Sequence, residues 1–451
     1  MQKNISAQKN TSAQKITLGI LGLGTVGGGT VNVLKRNAEK IAGRAGADIQ
    51  VKSALVRSLD SKRICDCDDI ALTTNADDIL NDSEIDVIVE LVGGDTLAKE
   101  YVEQAIANKK HVVTANKALI AKYGNELFAQ AEAQNVSIAY EASVAGGISI
   151  IKALREGLAG NDIEFIAGII NGTGNFILTE MLEKKRDFAD VLTEAQELGY
   201  AEADPTFDVE GIDAAHKLAI LAAIGFGMPI DFEAVYTEGI SKLDLDDLEY
   251  AQELGYRIKH LGVAKRAGSG VEMRVHPTLI PEKRLIANVN GVMNAVLVRG
   301  DAVGNTLHYG AGAGAEPTAS AVVADIVDVI RRIKSDAKEH AVVPHLGFSA
   351  NSLQALPATQ SQDFSCGFYL RLTVIDEPGV MAQITQIFAE HNISLEAVIQ
   401  KEPAASNEIV QIILLTDECQ EQLIDVCIEK IQTLSALQDA VVKIRVEQLN
   451  G

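Results

Sequence analysis

An aspartate and a lysine, Asp213 and Lys217, stand four residues apart in an apolar stretch of the chain. On a helix this spacing places both side chains on one face. A solvated ion pair would explain the spacing, but it would not explain why the surroundings are apolar or small. Glu202 precedes the pair, and a polar turn with the sequence NGTGN occupies residues 171–175. Acids combined with a lysine indicate a site for a small zwitterionic substrate.

A glycine-rich motif with the sequence GLGTVG occupies residues 22–27. It follows the apolar run 16–21, opens a predicted helix over about residues 26–41, and precedes a second apolar run at 49–56. Glycines at this place let the pyrophosphate of a dinucleotide approach the helix N-terminus. The motif therefore predicts NAD(P) binding, with a plain structural turn as the alternative.

The residues after the second apolar run bear on the choice between NAD and NADP. An acidic residue at this place binds the ribose hydroxyls of NAD. Here the chain presents Arg57, followed by Lys62 and Arg63. Because a cation is suited to a 2′-phosphate, we expect NADP. NAD remains the alternative if Arg57 is only a solvated loop residue.

The order of predicted elements indicates an α/β protein whose first domain is a Rossmann-type, doubly wound parallel sheet. This domain is expected to cover residues 16–143, after a flexible polar tail at 1–15. Beyond the glycine motif, apolar runs alternate with helical stretches, namely strands at 85–91, 111–114 and 136–140 and helices at 98–107 and 118–133.

The rest of the chain predicts three further parts. Residues 144–309 combine longer helices with glycine-bounded strands and indicate an α+β substrate and dimerisation domain. A second glycine loop leads into a helix, so residues 310–334 are expected to return to the nucleotide domain, unless this helix only packs at a dimer contact. A polar linker at 335–363 precedes a βαββαβ pattern at 364–451.

Composition excludes several classes of function. With 40 basic against 62 acidic residues the net charge is −22, which disfavours nucleic acid. No apolar run is long enough for a membrane helix, and the polar N-terminus is not a secretory signal, so we expect a cytoplasmic protein. The five cysteines are expected to be free thiols. No zinc or calcium motif occurs in the sequence.

Six further motifs occur in order along nearly the whole chain after the tail. They are TANK at 114–117, YEASVAGG at 140–147, NGT at 171–173, EADP at 202–205, GIDAAHK at 211–217 and GAGAGAEPTA at 310–319. Together with the glycine motif, they make the chain resemble homoserine dehydrogenases. The sequence DEPGVMAQI at 376–384 is similar to the strand-to-helix turn of ACT domains, which receive an amino-acid ligand between paired copies.

The resemblance implies reversible, NAD(P)H-dependent reduction of L-aspartate 4-semialdehyde to L-homoserine, in threonine and methionine biosynthesis. In this family the lysine matching Lys217 donates the proton. Hydride arriving at an aldehyde carbon builds negative charge on the oxygen, which a positioned ammonium stabilises and then protonates. Lys117, which matches a lysine near the nicotinamide, and a bound water remain alternatives for that role. His216 is expected to be structural, since adjacent residues on a helix point to different faces.

The resemblance also implies the members of each site. The expected catalytic residues are Lys217, Lys117 and Asp213, and the expected substrate-binding residues are Glu202, Asp213, Gly172 and Thr173. The expected cofactor-binding residues are Gly22, Gly24, Thr25, Val26, Gly27, Arg57, Gly93, Lys117 and Gly312. A structural sodium ion is implied at the Glu141 carboxylate and the carbonyls of Val144, Gly146 and Ile148, with a plain tight turn as the alternative.

Partners follow from the same resemblance. L-threonine is the expected effector of the ACT domain, although a domain used only for dimerisation is an alternative, and a homodimer or homotetramer is expected. Two rival functions fit the sequence less well. An ACT-bearing 2-hydroxyacid dehydrogenase, such as phosphoglycerate dehydrogenase, would carry its glycine motif in mid-chain rather than at Gly22. A catalytically inactive amino-acid sensor would not need Lys117, Glu202, Asp213 and Lys217 together.

Overall fold

The computed structural model describes residues 15–335, 343–401 and 409–449, which form two compact units. Unit 1 contains the described residues up to Ala159 together with Ala311–Leu353, and unit 2 contains Gly160–Gly310 together with the described residues from Gln354 onward. The predicted tail lies outside the described residues, except for Lys15, which begins the first strand. This two-unit division groups residues 364–451 with the substrate region, and the finer predicted boundaries stay a prediction.

Unit 1 is built on a six-stranded parallel sheet with the order β3-β2-β1-β4-β5-β6, which confirms the Rossmann-type fold. The strands are β1 (Lys15–Leu21), β2 (Asp48–Leu55), β3 (Ala71–Thr73), β4 (Val87–Glu90), β5 (His111–Thr114) and β6 (Ile138–Ala139). The helices are α1 (Thr25–Arg36), α2 (Ala38–Ala45), α3 (Asp77–Leu80), α4 (Thr96–Ala107), α5 (Lys117–Ala133) and α6 (Ile150–Lys152), with short turns of helix at Glu141–Ser143 and Ala153–Gly157.

One predicted helix differs in the structure. The stretch expected to be a single helix over residues 26–41 is two helices, because the backbone of Asn37 leaves the helical conformation between α1 and α2. The central strands are apolar on both faces, as buried parallel strands require. Their side chains Ile16, Leu18 and Ile20 form a core with residues of α1 and are at most 1% exposed.

The first part of unit 2 combines helices with antiparallel strands. In chain order its elements are β7 (Ile163–Ile169), α7 (Gly172–Lys184), α8 (Phe188–Glu197), α9 (Thr206–Val209), α10 (Ile212–Phe226), β8 (Tyr236–Thr237), α11 (Leu245–Glu253), β9 (Tyr256–Ala267), β10 (Gly270–Pro281), a helical turn at Leu285–Asn288, β11 (Met293–Gly300) and β12 (Gly304–Ala311).

The next helix, α12 (Ala315–Lys334), belongs to unit 1, where it packs along α1. Gly29 permits this close approach, because a Cβ at that position would lie 2.5 Å from the carbonyl oxygen of Ala315. The chain therefore returns to the nucleotide-binding unit after the second glycine loop.

The C-terminal part has the predicted βαββαβ order. It consists of β13 (Ser365–Ile375), α13 (Val380–Glu390), β14 (Leu395–Gln400), β15 (Ile409–Thr416), the short β16 (Cys419–Gln420), α14 (Glu421–Ile431) and β17 (Val442–Val446), preceded by helical turns at Ala350–Ser352 and Ser361–Asp363. Its sheet continues that of the substrate region, because β17 pairs in parallel with β10. The sequence did not predict this continuous eleven-stranded sheet.

Two further findings concern the whole described chain. None of its helices is long and apolar enough to cross a membrane. All five cysteines are free thiols, as predicted.

Acid should destabilise the fold through His111 on β5. The Nδ1 atom of this residue accepts the N–H of Ser137 at 3.0 Å, and burial lowers its pKa to about 4. In the unfolded chain the same group has a pKa near 6.5. The unfolded chain therefore binds more protons between pH 6.5 and 4, so stability is lost as the pH falls through this window, by up to about 3 kcal/mol.

The matched variant is His111→Asn, whose amide oxygen can accept the same N–H but does not titrate. We expect its free energy of unfolding, measured by denaturant titration at a series of pH values, to fall less steeply with acid than that of the wild type. Equal slopes for the two proteins would contradict the assignment.

Candidate active site

The predicted cofactor loop follows β1 and leads into α1. Gly22 has a φ of +99°, and a Cβ on it would lie 2.6 Å from the carbonyl oxygen of Leu91. A Cβ on Gly27 would lie 2.1 Å from the carbonyl oxygen of Gly22. Gly24 precedes the helix without a side chain to cap it, so the first-turn N–H groups of Thr25 and Val26 are available to an anion.

A cavity of about 630 Å³ lies beside this loop within unit 1. Arg57 and Lys62 line it, are exposed, and make no ion pair or hydrogen bond with the described residues. Arg63 also lines it, but its guanidinium donates to the carbonyls of Ser58, Leu59 and Ser61 and so holds the loop. Within the described residues no carboxylate lines this cavity. Its lining includes Gly22, Leu23, Gly24, Leu55, Val56, Thr74, Leu91, Val92, Gly93, Leu97 and Tyr101.

The carboxyl ends of β4 and β5 are joined by a buried carboxylate. Glu90 accepts a hydrogen bond from the hydroxyl of Thr114 at 2.6 Å, and burial raises the pKa of Glu90. The amide nitrogen of Asn116 donates to the carbonyl of Gly94, which fixes the start of α5 against the loop after β4. Lys117 is the first residue of that helix and is half-buried. Glu90 was not predicted as a site residue, although a carboxylate inside an apolar strand is a recognisable signal in the sequence.

In unit 2, the predicted acid and lysine form a buried pair on α10. The Nζ atom of Lys217 lies 2.7 Å from Oδ2 of Asp213 and 2.7 Å from the carbonyl oxygen of Ile170, at the end of β7. The two side chains are only 11% and 5% exposed. A solvated surface pair is therefore excluded.

Asn171 connects this pair to another acid. Its amide nitrogen donates to Oδ2 of Asp213 at 2.9 Å and to Oδ1 of Asp208 at 2.8 Å. Its amide oxygen accepts the N–H of Gly174 at 2.7 Å and caps α7. Two carboxylates and one ammonium thus meet at the starts of α7 and α10. Asp208 was not predicted, although it stands five residues before Asp213 in the same stretch.

The other predicted substrate residues differ in their surroundings. Thr173 donates to the carbonyl of Tyr200 at 2.6 Å. A Cβ on Gly172 would lie 2.8 Å from the carbonyl oxygen of Val292, so this glycine permits close packing. Glu202 is exposed, whereas Asp213 is buried. His216 is 2% exposed and stacks on Phe232 at 4.1 Å between ring centroids.

The four residues expected to bind sodium lie on one turn of unit 1. The carboxylate of Glu141 is buried and accepts the N–H groups of Ile151 and Lys152, both at 2.9 Å. The turn is tight, since the N–H of Ile148 donates to the carbonyl of Ala145, which has a φ of +51°. Val144 lies in this turn, and a Cβ on Gly146 would lie 2.8 Å from the carbonyl oxygen of Gly312. The described residues contain no cluster of three or more His, Cys, Asp and Glu side chains suited to a metal.

The structure has the two parts of an NAD(P)-dependent oxidoreductase. One is a Rossmann-type unit with a glycine loop, and the other is a unit with a buried lysine–carboxylate pair. Comparison with known families agrees. The NAD-binding domain of homoserine dehydrogenase matches residues 22–141, homoserine dehydrogenase itself matches 150–327, and the ACT domain matches 368–430. The chain belongs to the homoserine dehydrogenase family, which excludes a 2-hydroxyacid dehydrogenase.

Individual relatives support this membership. A homoserine dehydrogenase of Pseudomonas aeruginosa is 58% identical over 96% of this chain and 99% of its own, and one of Bacillus subtilis is 41% identical over 96% and 98%. The crystal structure of a homoserine dehydrogenase from Thiobacillus denitrificans has a TM-score of 0.91 at 58% identity, covering 97% of this chain and 99% of that one. A hyperthermophilic archaeal homoserine dehydrogenase in complex with NADPH has a TM-score of 0.59 at 26% identity, covering 71% and 98%.

Proposed function

We propose that the protein catalyses the reversible NAD(P)H-dependent reduction of L-aspartate 4-semialdehyde to L-homoserine, within amino-acid biosynthesis. The observation that carries this proposal is the buried Lys217–Asp213 pair, held by Asn171 in a member of this family. The test is the appearance of reduced nicotinamide, followed by its absorbance, when L-homoserine is mixed with NADP or NAD. No reduction with either cofactor would contradict the proposal.

Each residue of the pair has a proposed role. The nicotinamide supplies or accepts the hydride. Lys217 stabilises the developing alkoxide and protonates it, and in the reverse direction it takes up the hydroxyl proton. Asp213 orients the amine through the bond at 2.7 Å. Lys117, on the cofactor side, is proposed to bind near the nicotinamide.

The amino end of the substrate needs carboxylates. We keep Glu202 as a proposed ligand for it, and we add Asp208 because its carboxylate shares the amide of Asn171 with Asp213. Thr173 and Gly172 lie in the first turn of α7, where main-chain N–H groups suit the substrate carboxylate.

For the cofactor we propose a preference for NADP, supported by Arg57, which has no ion-pair partner among the described residues and lines a cavity whose described lining contains no carboxylate. Replacing Arg57 with alanine is expected to raise the KM for NADP about tenfold and to change the KM for NAD little, because only NADP carries the 2′-phosphate. The matched control is Arg44→Ala, which removes an exposed arginine that does not line this cavity. Equal effects of Arg57→Ala on both cofactors would contradict the assignment.

We also propose a structural sodium ion at Glu141, Val144, Gly146 and Ile148. The fit rests on a buried carboxylate whose described hydrogen bonds come only from main-chain N–H groups, and on a tight turn that can direct carbonyls to a hard cation. We expect the melting temperature to be higher in sodium chloride than in choline chloride of equal ionic strength. The difference should vanish in Glu141→Gln. Equal melting temperatures of the wild type in the two salts would contradict the proposed sodium site.

For the C-terminal domain we propose regulation by an amino acid, with L-threonine as the effector. The motif at 376–384 supports this, because Gly379 with a φ of +99° makes the turn that begins α13. A role in assembly alone is the alternative. A change in rate or melting temperature with L-threonine supports binding, whereas no change in either favours the assembly role.

A homodimer or homotetramer is part of the same proposal. It is supported by β12, which forms one edge of the sheet of unit 2 and carries the exposed side chain of Tyr309. An unpaired edge strand is suited to contact a second copy. Light scattering after size-exclusion chromatography measures the mass directly, and a monomer would contradict this assignment.

A further inference from the structure

One buried imidazole lies against the starts of both helices that form the polar centre of unit 2. His260, on β9, is 3% exposed. A Cβ on Gly211, the residue before α10, would lie 3.1 Å from its Cε1 and 3.2 Å from its Nε2. A Cβ on Gly174, in the first turn of α7, would lie 3.5 Å from its Nδ1. The ring therefore occupies the space where the N-terminal turns of α7 and α10 meet.

Among the residues that the structure describes, a single hydrogen bond orients this ring. Its Nε2 lies 3.0 Å from the carbonyl oxygen of Glu238, and since a carbonyl only accepts, Nε2 carries the proton. Burial lowers the pKa of His260, so the ring is neutral and Nδ1 keeps its lone pair. The described residues provide no hydrogen-bond partner for Nδ1. The orientation of the imidazole therefore depends on where the main chain holds the carbonyl of Glu238.

Glu238 is held in turn by the C-terminal domain. Its Oε2 accepts from Nη1 of Arg445 at 2.6 Å and from the hydroxyl of Tyr236 at 3.1 Å. Arg445 lies on β17, is 2% exposed, and also donates to Tyr236 and Glu421. Charge-assisted hydrogen bonds of a buried guanidinium have a fixed geometry. A continuous path of contacts thus runs from β17 to the helix starts.

We propose that His260 is a positioning residue for the substrate side of the active site, and that Arg445 sets its place through Glu238. The ring keeps the start of α10 close enough to the start of α7 for Asn171 to bond to Asp213. Lys217 lies on the same helix as Asp213. The inference rests on the proposed function, because L-homoserine oxidation is its readout. It gives the C-terminal domain a physical route to the substrate-binding residues that does not require contact with the substrate.

The first test compares three replacements of His260. We expect His260→Ala to lower kcat/KM for L-homoserine about tenfold, through kcat as well as KM, because Lys217 loses its fixed position. The Kd for NADPH should stay unchanged. His260→Gln retains an N–H that can reach the carbonyl of Glu238, so it should recover most of the activity. His260→Asn is too short to reach it and should recover little, and equal activity of the Gln and Asn variants would overturn the role of this hydrogen bond.

The second test concerns the route from Arg445. Glu238→Gln keeps the carbonyl but removes the charge that binds Arg445, and it should lower kcat/KM about threefold in the wild-type background and not at all in His260→Ala. The matched control, Glu233→Gln, replaces an exposed acid in the same segment and should have no effect. If the effects of Glu238→Gln and His260→Ala multiply, the route through Glu238 is wrong.

The remaining outcomes separate this inference from the function on which it rests. A folded His260→Ala with unchanged kinetics, beside an active wild type, would overturn the positioning role alone. A wild type that fails to oxidise L-homoserine would overturn the proposed function and this inference with it.

Discussion

Replacing Lys217 with alanine is expected to lower kcat for L-homoserine oxidation by about 10³-fold, while the affinity for NADPH remains close to that of the wild type. General acid–base transfer by a positioned group contributes about 10²–10⁴-fold to the rate. The amine is 11% exposed and fixed by two bonds of 2.7 Å, so bulk water does not replace it readily. The measurement is the initial rate of nicotinamide reduction at saturating cofactor.

The control for this prediction is Lys242→Met, which removes an exposed lysine of the same unit. Loss of a buried partner can also destabilise the protein, because Asp213 would remain as a buried carboxylate. The double variant Lys217→Ala/Asp213→Asn removes that charge and separates stability from catalysis. Primary amines added to Lys217→Ala should restore part of the rate, since the deleted side chain leaves room for them. A near-normal rate in Lys217→Ala would show that the proton donor is misassigned.

The nucleotide-binding sheet could be predicted because its signals are local. Each strand is a short apolar run, and the glycine motif marks the one turn at which Gly22 needs a positive φ. The break at Asn37 was missed, because α1 and α2 both fit a single helical periodicity. Glu90 was missed for a related reason, since Thr114, whose hydroxyl donates to it, lies on the next strand of the sheet and is distant in sequence.

The sheet of unit 2 was less predictable. Strand β10 is buried throughout its length, yet it carries Arg274 and His276, so its pattern does not look like that of a core strand. Its pairing with β17 joins residues more than 160 positions apart, for example Thr278 with Arg445. No local periodicity reports such a contact. The ACT domain was correctly recognised from its own motif, but its connection to the substrate region was not.

The same distinction applies to the active-site residues. Asp213 and Lys217 were predicted as a pair because helical spacing places them on one face. Asn171, which donates to Asp213, comes from a different helix start, and Asp208, which accepts from Asn171, comes from the segment before α10. Glu202 was predicted from its place before the pair and from the resemblance, and it is exposed in the structure. Its proposed role therefore depends on the bound substrate, whereas the roles of Asp213 and Asn171 already have a structural basis.

A substitution in the glycine loop should have the second large effect, because it weakens cofactor binding more than it destabilises the fold. Gly24→Ala should reduce NADPH affinity at least about tenfold and lower the melting temperature much less than Gly27→Ala does. A Cβ at Gly24 would meet no atom of the protein within 4 Å, so any cost of alanine to the fold comes from the backbone angles, φ −84° and ψ −148°. The added methyl group would instead occupy the space through which the pyrophosphate approaches the start of α1.

Gly27→Ala is the contrasting variant. Its Cβ would lie 2.1 Å from the carbonyl oxygen of Gly22, so the loop must shift and both affinity and melting temperature should fall. Gly43→Ala is the matched control, since its Cβ would meet nothing within 4 Å in α2, and alanine favours a helix by about 1 kcal/mol. Fluorescence titration with NADPH and thermal unfolding measure the two effects. If Gly24→Ala binds NADPH like the wild type, the pyrophosphate does not cross the start of α1.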